Sequence, residues 1–107
     1  MTTLRELAPI ILQKSRDGKI PGEEGGGKSF IANLGDWILR ILYDERSETV
    51  DHRLRLLDAA GNTMESFSST RDKDEGKVLS EIYELARRKA LRVDEALGAL
   101  EKTLMDL

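Results

Sequence analysis

The apolar residues change their period twice along this chain, and the two changes limit what it can fold into. From Leu4 to Leu12 the spacing is helical: Leu4, Leu7 and Ile11, with Ala8 and Leu12 beside them, form one stripe. From Lys28 the period falls to 2. In Phe30-Ile-Ala-Asn-Leu34 and Trp37-Ile-Leu-Arg-Ile-Leu-Tyr43, one face carries Trp37, Leu39, Ile41 and Tyr43, and the other Ile38, Arg40 and Leu42. The helical period returns with Val78, Leu79, Ile82, Leu85 and Ala86. Amphipathic strands flanked by amphipathic helices must cover one sheet face with helices, so the expectation is a compact α+β domain.

Local signals place the boundaries. Thr3-Leu-Arg-Glu6 has the form of a capping box, and Gly18 can end the helix in a left-handed conformation after Lys14 and Arg16; helix one is expected over about residues 3 to 17, bent at Pro9. Gly35-Asp36 suits a tight hairpin. A third strand is expected from Val50 to Leu57, with Val50, His52, Leu54 and Leu56 on one face, and a fourth from Thr63 to Ser68 beyond a turn at Ala59–Asn62. This is an antiparallel β-meander of about four strands, to which Lys19–Glu24 could add a short edge strand. The acidic Asp72, Asp74 and Glu75 favour the start of a second helix. A break at Leu91-Arg92-Val93-Asp94, with Asp94 as cap, opens a third, whose inner face is expected to be Ala96, Leu97, Leu100 and Leu104.

With 107 residues the chain forms one domain, residues 1–107. It has no cysteine, hence no disulfide or thiolate chemistry, and a net charge of −3 gives no global attraction to nucleic acid or anionic lipid. No apolar run reaches the roughly 18 residues of a membrane span, and no small-residue cleavage site follows the N-terminal apolar patch, so a cytoplasmic location is expected.

Gly22-Glu-Glu-Gly-Gly-Gly-Lys-Ser29 fits the G-x-x-x-x-G-K-[ST] pattern of a phosphate cradle letter for letter. A working cradle needs a buried strand leading in and a helix leading out, so that amides and the positive helix end converge on phosphate. Here a helical pattern precedes the loop, a strand pattern follows it, and Glu23 and Glu24 would face a polyanion. The expectation is therefore a loop entering a strand, with a nucleotide hydrolase using Lys28 and Ser29 as the least supported reading.

Arg87, Arg88 and Arg92 form the densest positive cluster, with Lys89 among them. They suit a helix C-terminus, where Glu84 one turn and Glu81 two turns before Arg88 are its expected partners, and they are the candidates for nucleic acid or a phosphorylated small ligand. His52 is the only histidine and is expected to pack beside Leu54 and Leu56. The carboxylates of Asp44-Glu-Arg-Ser-Glu48 and Asp51 lack calcium-loop spacing. Neither a catalytic set nor a cofactor or metal site emerges. Trp37 shares its face with Leu39 and Ile41, which predicts a core position; pointing away from the helices, it becomes a partner surface.

Leu79–Leu97, Leu56–Ser66 and Asp17-Gly-Lys-Ile20 together resemble a group of small uncharacterised bacterial proteins with a helix, meander, helix-pair plan. The resemblance covers most of the chain and rests on caps, a turn and an apolar stripe. It implies the same α+β plan and no transferable catalytic residue, and the glycine-rich loop is not a constant feature of that group. The functional expectation is a non-enzymatic protein-interaction module, with a homodimer as one form, binding through a strand edge or the C-terminal helix pair. Trp37, Arg87, Arg88 and Arg92 are its candidate contact residues.

Overall fold

The computed structural model describes residues 1–44, 51–68 and 73–107. Its elements follow the expected order: α1 (Leu4–Arg16), β1 (Glu23–Glu24), β2 (Ser29–Asn33), β3 (Trp37–Asp44), β4 (Asp51–Asp58), β5 (Thr63–Ser68), α2 (Lys73–Ala90) and α3 (Val93–Met105). The five strands are antiparallel and lie in chain order across one sheet. The fifth strand beyond the expected four is β1, two residues within Lys19–Glu24. The acidic loop that contains Glu45–Glu48, together with Val50 and Asp72, lies outside the described residues.

Both ends of α1 are closed by the sequence itself. Thr3 Oγ1 accepts from the Glu6 N–H at 3.2 Å, and the Glu65 carboxylate of β5 accepts from the Leu4 N–H at 3.1 Å. A negative group therefore sits at the positive helix end, from a strand sixty residues away. At the other end Gly18, at φ +72°, donates to the Ser15 carbonyl, and Lys19 donates to that of Lys14. These two bonds make a Schellman stop, which the left-handed glycine permits. The helix continues through Pro9, which is exposed.

The turns are built as tightly. Gly35, at φ +91°, takes the first central position between β2 and β3, and Asn33 Oδ1 accepts from its N–H. Between β4 and β5, Asp58 Oδ1 accepts from the amides of Asn62 and Ala60, and Oδ2 from Asn62 Nδ2. These donors, the Asn62 amide above all, hold the Asp58 carboxyl below its ordinary range. Beyond this turn the register slips between Leu56 and Leu57, a bulge that leaves Met64 exposed.

One sheet face carries the core. Phe30, Ala32, Leu39, Ile41, Leu54 and the buried His52 meet Leu4, Ala8 and Leu12 of α1 and Leu79 and Ile82 of α2. α2 lies across β1 to β4, while α1 packs on α2 and β5. The segment before β1 is tied down as well: Lys89 Nζ donates to the carbonyls of Gly18 and Ile20, both at 2.8 Å, and a Cβ on Gly22 would lie 3.2 Å from the Ala86 carbonyl.

The expected inner face of α3 is a correction. α3 has no buried residue, and Leu97, Leu100 and Leu104 are 51%, 51% and 57% exposed. Its main contact is α2, because α1 and α2 already fill the core face of the sheet. The radius of gyration, 15.2 Å, exceeds the roughly 13 Å of a compact chain of this length, and the longest dimension is 56 Å. The joint also differs in detail. Arg92, at φ 53° and ψ 44°, is the capping residue, whereas Asp94 lies in the first turn and accepts from Arg88.

Two measurements check this account. Leu79→Ala should lower unfolding stability in urea by about 2–5 kcal/mol, the cost of emptying a fully buried leucine site. The Asp58 carboxyl should titrate in a carbon-detected NMR experiment below the roughly 3.9 of a free aspartate. Its folded value is depressed, so its stabilisation is present above the unfolded value and is lost as pH falls through the folded one.

Candidate functional site

The glycine-rich segment is a hairpin loop between β1 and β2, wholly within the described residues. The Gly25 N–H donates to the Ser29 carbonyl at 3.0 Å, and Ser29 Oγ donates to the Gly26 carbonyl at 2.6 Å. Gly26 and Gly27 have φ of +84° and +58°. Arg40, on the neighbouring β3, fastens the loop: its Nη2 donates to the Gly25 carbonyl at 3.0 Å and to Ser29 Oγ at 3.1 Å. Ser29 is buried beneath this turn and opens a strand, as its period implied. No helix N-terminus follows the loop, so the element that would focus positive charge on a phosphate is not at this place. Lys28 Nζ stands over the Tyr43 ring, 5.4 Å from its centroid.

The arginine cluster is largely engaged. Arg87 makes a two-pronged contact with Glu84, Nε to Oε2 at 3.1 Å and Nη2 to Oε1 at 2.7 Å. This hydrogen bond, first among the causes, lowers the Glu84 carboxyl and raises the Arg87 guanidinium. Arg88 reaches Asp94 at 2.6 Å, and Glu81 is taken by Arg16 of α1. Helical spacing suggested Glu81 and Glu84 as partners of Arg88; the packing of α1 and the turn at Arg92 redistribute them. Arg92 is exposed at the α2–α3 joint. The three arginines thus share a neighbourhood without converging on one point.

At one end of the sheet Phe30, Tyr43, His52 and Tyr83 form a ring cluster with centroids 5.2–5.9 Å apart. His52 is buried there, against Tyr43 and Tyr83 and on the expected face. Burial pushes the Tyr83 hydroxyl up, opposed by the positive charge of Lys28. The cavity between α1, α2 and the sheet, lined by Ile20, Phe30, Leu39, Ile82 and Ala86 among others, holds about 30 Å³. Pockets for organic ligands run from about 300 to 1,000 Å³, so this space is a packing interstice. Among the described residues no His, Asp and Glu side chains group as metal ligands would, and no helix is long and apolar enough to cross a membrane.

The surfaces left over are of another kind. Trp37 lies at the sheet end and is 49% exposed beside exposed Leu34, which corrects its expected core position. The alternation is right, but α1 and α2 do not extend over that end of β3. The second such surface is the sheet face away from the helices, on which no helix among the described residues packs. Along its register Ile31 is opposite Arg40, Arg40 opposite Arg55, Leu42 opposite Arg53, and Ile38 opposite Leu57. Three arginines therefore cluster among four aliphatic side chains. Arg40 donates to the loop, at the Gly25 carbonyl and Ser29 Oγ, and Asp44 and Asp51 are opposite one another at the next position of this face beyond Leu42 and Arg53. The sequence reading named Arg40 as facing away from the core but did not gather Arg53 and Arg55 with it. The signal lies in strand register, which alternation within one strand cannot supply.

The chain has no match among protein-family models, curated proteins or solved structures.

A Cβ placed on Gly25 would lie 2.8 Å from Ile31 Cγ2 and 3.0 Å from Ser29 Oγ. Gly25→Ala should accordingly cost about 1–3 kcal/mol in chemical denaturation, the range for overpacking a tight site. Gly26→Ala meets no neighbour, but it should also destabilise, because its positive φ disfavours a Cβ.

Proposed function

We propose that this chain is a non-enzymatic protein-interaction module that works through the uncovered stripe of α3, with self-association as its simplest form. The observation behind this reading is that Leu97, Leu100 and Leu104 line one side of a helix that buries none of its side chains. Val93, Leu97, Leu100, Leu104 and Leu107 keep a four-three spacing, the seam by which a helix meets another apolar surface. Covering each half-exposed leucine contributes on the order of 1 kcal/mol, so three or four suffice for a specific contact when joined by polar pairs. Trp37 and Leu34 add a second apolar spot at the sheet end.

The competing assignment, a binder of nucleic acid or a phosphorylated small ligand through Arg87, Arg88 and Arg92, has less support, since two of those arginines already hold carboxylates. A protein contact also suits the chain's overall negative charge better than a polyanion does.

Sedimentation equilibrium over a range of concentrations provides the check. The wild-type chain should gain mass as concentration rises, and Leu97→Lys/Leu100→Lys should stay monomeric with an unchanged circular dichroism spectrum. Equal masses for the two at every concentration would overturn the reading.

A further inference from the structure

The two uncovered surfaces of this fold suit one another. α3 presents its leucine stripe with Glu101 along one flank, seven residues on from Asp94, which Arg88 of the same chain holds. The open sheet face presents Ile31, Ile38, Leu42 and Leu57 around Arg40, Arg53 and Arg55. We propose that α3 of one copy lies across the open sheet face of a second copy, reciprocally about a two-fold axis. The proposal rests on the reading of α3 as a contact surface and adds what it contacts.

Charge selects this occupant over the alternatives. From Val93 to Leu107 the chain carries Asp94, Glu95, Glu101 and Asp106 against Lys102 alone, so pairing α3 with itself sets acid against acid. Across the middle of the sheet face Arg40, Arg53 and Arg55 give the opposite sign, with Glu23 of β1 and the facing Asp44 and Asp51 at its margins. Arg40 and Arg55 are directly opposite one another across β3 and β4, a like-charge arrangement that costs stability unless carboxylates approach it. An acidic helix supplies them. The negative flank likewise disfavours an anionic membrane as the surface that covers α3.

Dimensions point the same way. Coiled-coil pairing is signalled by three or four heptads of apolar seam, and α3 has about two. Its 13 residues span about 20 Å, comparable to the 17–27 Å of strands of five to eight residues. The chain's own α3 follows α2 after only Leu91 and Arg92, and α2 sits on the other side of the sheet, so the helix that covers the open face belongs to a second copy. A reciprocal exchange is isologous and closes as a dimer. Single-stranded nucleic acid is a poorer fit, because Phe30, Trp37 and Tyr43 all belong to the core-side set of alternating positions, leaving the open face of β2 and β3 without a ring on which bases would stack.

The test is charge reversal in the full chain, read by sedimentation equilibrium. Arg55→Glu places a carboxylate opposite Arg40 and should leave the monomer folded, as should Glu101→Lys on an exposed helix flank. Each variant alone should weaken dimerisation about tenfold or more. Mixing the two should restore it, since one junction of the mixed dimer keeps the native pair and the other carries the pair reversed. If Leu97→Lys/Leu100→Lys abolishes the dimer while Arg55→Glu leaves it intact, α3 contacts something other than this face and the proposal fails, though the interaction reading stands. A wild-type chain that is monomeric at every concentration removes both. Binding of a labelled oligonucleotide that is lost in Arg55→Glu, without any dimer, would assign the arginine face to nucleic acid and overturn the proposal.

Discussion

A single apolar layer holds this fold together, and the two side chains most completely withdrawn from water in it are Leu54 of β4 and Leu79 of α2. Both α1 and α2 must reach that layer, and both press on the same face of the meander. Once they have done so, no core-side surface remains for a third helix. The exposure of α3 and the openness of the opposite sheet face follow from one allocation of space. A 107-residue chain has apolar material for about one core, and this chain spends it on one side of the sheet.

Much of this was legible in the residues. Thr3, Gly18 and Gly35 mark their turns and caps because each local conformation requires that residue type, whatever surrounds it. The alternation of Trp37 to Tyr43 and the helical stripe from Val78 to Ala86 place the core residues for the same reason. What could not be read depends on distant parts of the chain. Glu65 as the partner of the first turn of α1, Arg16 as the partner of Glu81, and the gathering of Arg40 with Arg53 and Arg55 all require knowing which strands neighbour which. Trp37 and the α3 leucines show a related limit: an apolar stripe states which side of an element seeks cover, not whether the same chain provides it.

The loop Gly22–Ser29 shows how spelling and context separate. Its letters describe a phosphate cradle, yet the amide of Gly25 and the hydroxyl of Ser29 are turned to closing a hairpin, and Arg40 supplies the charge that fixes its carbonyl. Three successive glycines serve here for close packing and positive φ. Of the lysine and serine that would define the motif, Lys28 ends the turn and Ser29 opens β2.

Arg92 has a mechanical consequence. It is the only described residue other than glycine at positive φ, a conformation costing roughly 1–2 kcal/mol relative to the helical one. The apolar spacing meanwhile runs on through it, from Leu79, Tyr83, Ala86 and Ala90 to Val93, Leu97, Leu100 and Leu104. One pair of backbone torsions thus divides what would otherwise be a single amphipathic rod. α3 is a lever about 20 Å long with its fulcrum at that residue. A rotation of ten degrees there swings the far end by about 3.5 Å, close to a strand's rise per residue. Small changes of angle at one arginine are thereby magnified into whole-residue displacements at the tip, and the bearing of the leucine stripe is set at a point that no leucine touches.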